Sequence, residues 1–121
     1  MQHKAINSLK TIGLDIIEDH VAFGTNYMTS FVVNSYHKVV RDINENLPKA
    51  EQGNNLACHV ICMACLVLIE DLEDLFKFDN FYVFEFGELK DIAEAVIDEV
   101  NDMAYDEQAH DMLAELTDDE D

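Results

Sequence analysis

The chain has 121 residues, of which 26 are acidic and only 7 are basic, so its formal net charge at pH 7 is −19. Nucleic acid and anionic lipid surfaces repel such a polyanion, which argues against direct binding to either and predicts basic partners. Because 49% of the residues are hydrophobic, the chain can form a core, and its length corresponds to one domain.

The charge is concentrated in the second half of the chain. Residues 1–50 contain five basic and five acidic side chains, whereas residues 51–121 contain 21 acids and only two basic residues, Lys77 and Lys90. Thirteen of those acids follow Lys90. Self-repulsion of this kind works against the compact state, so the asymmetry indicates selection for something other than folding.

The sequence predicts a cytoplasmic protein without a membrane span. Residues Met1 to Asn7 alternate polar and apolar side chains and lack the apolar core of a signal peptide. The longest apolar stretch, Leu56 to Ile69, has 14 residues and contains His59, so it is short for a bilayer and suits a buried helix. Three closely spaced cysteines do not form a disulfide framework, which favours a reducing compartment.

The hydrophobic pattern has mostly helical period and predicts an all-α fold, a compact domain of four helices. This single domain is expected to cover residues 1–116, and residues 117–121 are expected to form an acidic disordered tail. The first helix should end near His20. Thr25 is the predicted N-cap of the second helix, and Pro48 is expected to close it.

An aromatic segment separates the last two predicted helices. The third helix is apolar on every side from Leu56 to Ile69, which is typical of a central helix. Residues 78–86 contain six large aromatic or β-branched side chains around a turn-like Asp79 and Asn80, which predicts a short strand or an extended segment on the helices. The last helix is expected from about Gly87 to Leu116.

No motif in the sequence indicates catalysis or a cofactor. Cys58, Cys62 and Cys65 share one helical face, but a zinc site commonly needs a second ligand pair, so core packing is the favoured interpretation. The E-x-x-H unit from Glu107 to His110 has no second copy, as a di-iron bundle would require, and is interpreted as a surface pair. Nucleophile-elbow and phosphate-loop motifs are absent from the sequence, so we expect a protein that is not an enzyme.

Acidic residues recur at intervals of three or four along the last predicted helix, opposite its apolar face. Neighbours in this row lie about 5 to 6 Å apart along the helix axis, which is comparable to the spacing of phosphates on a nucleic-acid strand. We therefore predict a partner-binding surface of phosphate-mimicking carboxylates and a second acidic patch on the third helix. The first set is Glu88, Asp91, Glu94, Asp98, Glu99, Asp102, Asp106, Glu107, Asp111 and Glu115, and the second is Glu70, Asp71, Glu73 and Asp74.

In these features the chain resembles the small DNA-mimic inhibitors of phages and mobile elements, which include Ocr-like antirestriction proteins and acidic anti-CRISPR proteins. The resemblance is one of overall character: size, helical content, acidity, a carboxylate-lined helix and the acidic end TDDED. It implies a protein that occupies the basic DNA-binding cleft of a host DNA-binding protein or defence nuclease and inhibits it by competition. The site of action would be the host cytoplasm if the protein is phage-encoded.

The alternative is a helical interaction or assembly module whose acidic face is only solvated. Phe81, Tyr82, Phe84 and Phe86 either close the core or form the interface of a homodimer, since aromatic residues are enriched in interface cores. The sequence leaves both possibilities open.

Overall fold

The computed structural model describes the backbone of residues 3–120 and the side chains of residues 3–104. Within this range it contains four helices and no strand, which confirms the all-α, four-helix prediction. Helix α1 covers residues 4–22 and consists of Lys4–Ser8, a π-helical turn at Leu9–Gly13, and Leu14–Ala22. The other helices are α2, Tyr27–Glu51; α3, Asn55–Phe78; and α4, Phe81–Glu120.

Consecutive helices are antiparallel and enclose a single apolar core. Helix α3 packs against both α2 and α4, and α1 lies mainly along α4. The first turn of α1 contacts Glu99 and its last turn contacts Glu85, so α1 and α4 also run in opposite directions. The largest fully buried side chains are Tyr36, Phe86, Ile6, Leu9, Ile17, Ile43, Ile61, Leu68, Leu72, Leu75, Leu89 and Val32.

The π-helical turn of α1 packs closely against Tyr36. The Tyr36 hydroxyl donates a hydrogen bond of 2.7 Å to the Leu9 carbonyl, which satisfies a polar group inside the core. A Cβ added to Gly13 would lie 3.0 Å from the Tyr36 ring, so glycine allows the close approach. Burial, followed by the negative charges of Glu18 and Asp15, raises the pKa of Tyr36 to about 12.

The ends of α2 differ from the prediction. Asn26, not Thr25, is the N-cap: its side chain accepts a hydrogen bond of 2.9 Å from the Thr29 N–H, and Thr29 Oγ1 accepts one of 2.9 Å from the Asn26 N–H. This reciprocal capping box outweighs the isolated signal at Thr25. Pro48 lies inside the helix, which continues to Glu51. The chain leaves the helix only where Gly53 adopts a positive φ of 83°.

The prediction of a strand or extended segment at residues 78–86 was wrong. Phe78 ends α3, and α4 already begins at Phe81, after a turn in which Asp79 Oδ1 accepts a hydrogen bond of 2.9 Å from the Phe81 N–H. Tyr82 and Phe86 lie four residues apart and stack on one side of the helix with a centroid distance of 6.2 Å. Helical spacing therefore accommodates aromatic side chains whose composition alone suggested a strand.

Helix α3 is less enclosed than its apolar sequence predicts. Its inner side is buried, but Leu56, Met63, Leu66 and Val67 are exposed. Among the described helices, α3 has the length and apolar composition that would also suit a membrane span, and 44% of its most apolar window is buried inside the bundle. Helix α4 is assigned to Glu120, so the acidic tail predicted for residues 117–121 is not confirmed, and Asp121 lies outside the described residues.

Candidate acidic binding surface

Four of the predicted phosphate-mimicking residues form a row of exposed carboxylates on α4. None of them takes part in an ion pair or hydrogen bond among side chains 3–104. Their spacing of three, seven and four residues keeps them on one side of the helix, away from the buried Leu89, Ala93 and Val96. We call these four residues the open carboxylates: Glu88, Asp91, Asp98 and Asp102.

The open carboxylates border a groove between α4 and the first two turns of α1. The groove has a volume of about 510 Å³. Its apolar wall is formed by Ala5, Ile92 and Ala95, and Lys4 is the single basic residue that lines it. The acidic surface is therefore concave between Glu88 and Asp102, and the apolar wall of the groove forms its floor beneath the carboxylates. The sequence did not predict this shape.

Glu99 also lines this groove but has a structural task. Its carboxylate accepts hydrogen bonds of 2.8 Å from the Ala5 N–H and 3.3 Å from the Ile6 N–H, both in the first turn of α1. His3, at the N-cap position of α1, makes no capping hydrogen bond with its side chain. Glu99 thus replaces a local cap and binds the positive end of the α1 dipole to α4, so it is not a free phosphate mimic.

Glu94 lies beside a lysine on the side of α4 that faces α3. Lys90 Nζ lies 3.6 Å from the Glu94 carboxylate and 3.7 Å from that of Glu73 in α3. Lys90, the single lysine of α4, thus contacts Glu94 of the predicted row and Glu73 of the predicted second patch. We call Glu94 and Glu99 the paired carboxylates of α4.

The remaining members of the predicted row are Asp106, Glu107, Asp111 and Glu115. They fall within the helical range of α4, but their side chains lie outside the described residues. The described half of the row therefore consists of four open and two paired members, Glu94 and Glu99.

The second predicted patch is split in the structure. Glu70 and Asp74 are exposed, Glu73 pairs with Lys90, and Asp71 accepts a hydrogen bond from Ser35 Oγ. Asp71 and Asp74 line a cavity of about 460 Å³ with aromatic side chains of α2. Those side chains are Tyr27 and Phe31, whose rings meet edge to face at 5.1 Å.

The four aromatic residues of the predicted dimer interface do not share one surface. Phe86 is 0% exposed and belongs to the core, and Tyr82 is half-buried, with its hydroxyl 2.9 Å from Asn26 Nδ2. Of the two alternatives, the structure therefore selects core packing for Phe86, because helical spacing turns its side chain inward. Phe81 and Phe84 are exposed, Phe84 by 91%.

The cysteines lie where core packing was expected. Cys58 and Cys65 are buried, and Cys62 is partly buried with its Sγ 3.5 Å from Asn101 Oδ1. Burial raises the pKa of all three thiols, that of Cys65 to about 12, which favours the protonated form. Among the described side chains, no group of three or more His, Cys, Asp or Glu residues is arranged to hold a metal ion.

One cluster of polar groups escaped the sequence interpretation. His20 near the end of α1 and Glu85 in the first turns of α4 meet at a cavity of about 200 Å³, which Ile16, Asp19 and Phe23 also line. These residues come from positions 65 apart in the chain, so no local spacing could have indicated their contact.

Comparison with known proteins gives no relative: no protein-family description, curated protein or solved structure matches this chain.

Proposed function

We propose that this protein is an acidic DNA mimic. It binds the basic DNA-binding cleft of a nucleic-acid-binding protein, such as a host defence nuclease of the restriction or CRISPR type, and inhibits it by competition in the cytoplasm. The observation that carries the proposal is the row of open carboxylates, which is exposed and has no cationic partner among side chains 3–104. At ~1.5 Å per residue, the row extends over about 21 Å of a single helix.

Competition follows from the way proteins hold DNA. Lysine and arginine contacts to phosphates supply most of the sequence-independent affinity of DNA-binding proteins, and these contacts recur whatever the sequence. A helix that offers carboxylates at fixed positions competes with any DNA sequence for the same side chains. Because opposite fields steer the two proteins together, association should be fast and should weaken with salt.

The groove beside the row supports binding to long basic side chains. The stems of lysine and arginine are aliphatic and can lie on Ile92 and Ala95, while their charged ends reach the open carboxylates at the border. A purely solvated acidic face would have no need of an apolar floor.

A capture experiment tests the proposal. The protein is immobilised, exposed to a lysate of its host, and the retained proteins are identified with and without excess duplex DNA. The test variant D91N/D98N/D102N neutralises three open carboxylates, and D15N/E18Q/E45Q changes the net charge equally at exposed positions of α1 and α2. We expect a basic partner that duplex DNA displaces, that the control variant retains, and that the test variant binds at least about tenfold more weakly.

Two outcomes would contradict the proposal. A captured partner that is indifferent to duplex DNA does not use its DNA-binding cleft. Equal loss of binding in both variants would show that only the net charge matters and that the position of the open carboxylates does not.

A second candidate function, a homodimeric assembly module, is favoured by the exposed aromatic side chains at one end of the bundle. Phe81 and Phe84 are 61% and 91% exposed there, and Phe78 is 65% exposed at the end of α3. Light scattering of the wild type and Phe84→Ala measures the oligomeric state directly. If partner binding survives D91N/D98N/D102N but fails in Phe84→Ala, assembly replaces mimicry as the function.

A further inference from the structure

We propose that the cavity between the end of α1 and the start of α4 binds the guanidinium group of an arginine side chain from a partner protein. His20 and Glu85 form its polar wall, and Asp19 and Phe23 lie beside them. This site uses none of the open carboxylates, so it is independent of the DNA-mimic proposal.

Hydrogen-bonding groups at the cavity lack partners. The His20 side chain is only 9% exposed, yet neither of its ring nitrogens makes a hydrogen bond with a described residue. Glu85 Oε2 is also buried and receives no hydrogen bond from side chains 3–104 or the described backbone. The two groups are 3.5 Å apart, within ion-pair range but without hydrogen-bond geometry. Buried polar atoms are normally satisfied, so the cavity has capacity for a donor from outside the chain.

The chemistry of the wall selects a cation. Glu85 and Asp19 each contribute a carboxylate, and the described residues that line the cavity include no lysine or arginine. A neutral His20 imidazole presents one acceptor nitrogen, which can take a further N–H. All these groups accept hydrogen bonds, so the complementary ligand is one with several N–H donors and a positive charge.

Phe23 favours guanidinium over a primary ammonium group. Its ring is 91% exposed although it forms part of the cavity wall, so it can move against a bound ligand. The planar guanidinium group stacks on aromatic faces and keeps its N–H groups directed at carboxylates in the same plane. An arginine side chain can therefore contact Phe23 and Glu85 together.

The cavity lies beside the exposed aromatic end of the bundle. Asn26 Nδ2 donates to the Tyr82 hydroxyl at 2.9 Å, which brings the turn after α1 to the start of α4. A partner that covers Phe81 and Phe84 can thus reach the cavity with one arginine. Such buried arginines, flanked by aromatic contacts, frequently dominate the energy of an interface.

A small-molecule titration tests the site without knowledge of the partner. The probe is Nα-acetyl-arginine N-methylamide, and the comparison compounds are the equivalent derivatives of lysine and citrulline. Amide and histidine ring signals are followed by NMR at pH 8. We expect saturable shifts around His20, Phe23 and Glu85 with the arginine compound, weaker binding of the lysine compound, and none with uncharged citrulline.

Variants locate the binding. Glu85→Gln should lower the affinity for the arginine compound by more than about tenfold, because a charge-assisted hydrogen bond is lost. Phe23→Leu should lower the affinity about twofold to fivefold. Because Phe23 is exposed, this substitution should not change the stability of the fold. Glu88→Gln, one turn along α4, and D91N/D98N/D102N should leave the affinity measured from the His20 and Phe23 signals unchanged, which separates this site from the open carboxylates.

Equal shifts with citrulline, or unchanged affinity in both Glu85→Gln and Phe23→Leu, would overturn the assignment.

Discussion

The paired and the open carboxylates of α4 lie on the same helix within a few turns of each other, yet their surroundings differ. Glu99 accepts hydrogen bonds from the first turn of α1, and Glu94 shares Lys90 with Glu73 of α3. The open carboxylates have no such contacts among side chains 3–104. Glu99 therefore attaches α1 to α4, and Glu94 has a lysine of its own helix beside it, while the open residues add repulsion that the fold must tolerate.

This difference separates two uses of acidity that composition cannot distinguish. Like charges three or four residues apart on a helix each destabilise it by a few tenths of a kcal/mol. A domain of this size has a free energy of unfolding of about 5 to 15 kcal/mol, so several such pairs are affordable. Retaining them without lysine partners is understandable if the open carboxylates are used outside the fold.

Ionisation of Tyr36 is expected to lower the free energy of unfolding more than any other change considered below. It tests whether the core that contacts α1 must remain uncharged, in contrast to the acidic surface of α4. The pKa of Tyr36 is raised to about 12, so the folded protein holds this proton more tightly than the unfolded chain does. The stability that Tyr36 contributes is therefore complete below about pH 10 and is lost as the pH rises from about 10 to 12. Urea unfolding at pH 9 and pH 11 measures the loss.

Tyr36→Phe is the control, because its stability should fall less over the same interval. Absorbance at 295 nm should also show one tyrosine of the wild type that ionises well above pH 10. If all tyrosines ionise together near pH 10 while the chain remains helical, Tyr36 is not held in a neutral core.

Removal of the Glu99 side chain should cause the next largest decrease in the free energy of unfolding. In Glu99→Ala, the Ala5 and Ile6 N–H groups lose their acceptor, and we expect the free energy of unfolding to fall by about 1 to 2 kcal/mol. Hydrogen exchange should be faster in the first turn of α1 specifically. Unchanged stability and exchange would show that Glu99 belongs with the open carboxylates.

Substitution of Lys90 tests the contact that it makes with the paired Glu94, and the expected loss of stability is smaller than for Glu99. Lys90→Met retains much of the aliphatic stem but leaves Glu73 and Glu94 as neighbouring uncompensated charges. We expect a loss of about 0.5 kcal/mol that becomes smaller in high salt, since both contacts are near the surface. A loss that is independent of salt would point to packing of the stem instead.

The smallest and sharpest test compares two adjacent residues. Asp98→Asn and Glu99→Gln remove the same charge at neighbouring positions, but the former relieves repulsion and the latter weakens a cap. We therefore expect Asp98→Asn to stabilise the protein by a few tenths of a kcal/mol and Glu99→Gln to destabilise it. Thermal unfolding of both variants in low salt checks the signs, and equal signs would remove the distinction between open and paired carboxylates.

The sequence predicts the helices well because the core repeats at helical spacing along most of the chain. It fails where tertiary contacts decide between local alternatives. Residues 78–86 read as a strand from their aromatic composition, but Tyr82 and Phe86 fill the bundle only if they lie on one side of a helix. Pro48 predicts a helix end, yet α2 continues to Glu51 because its last turn packs Ala50 into the core.

The sequence predicts the row of acidic residues on α4, but it does not predict which of them are open and which are paired. Spacing identifies the row from Glu88 to Glu115, and exposure of the open carboxylates follows from the apolar residues opposite them. The task of Glu99 depends on residues more than ninety positions earlier in the chain, and the groove depends on where α1 lies. Neither contact has a local sequence signal.

The π-helical turn at Leu9–Gly13 sets the phase between the two halves of α1. A wide turn accommodates one residue more than an α-helical turn does, and each residue of an α-helix corresponds to about 100° of rotation. Deleting one residue there would close the turn to an α-helical one with little change in the total rotation, so the N-terminal part would keep its azimuth. Inserting a further residue would instead rotate that part by about 100°. Ile6 would then leave the core, and its N–H would no longer point at Glu99. The wide turn thus lets α1 contain one residue more than a regular helix while Ile6 and Ile17 both remain in the core.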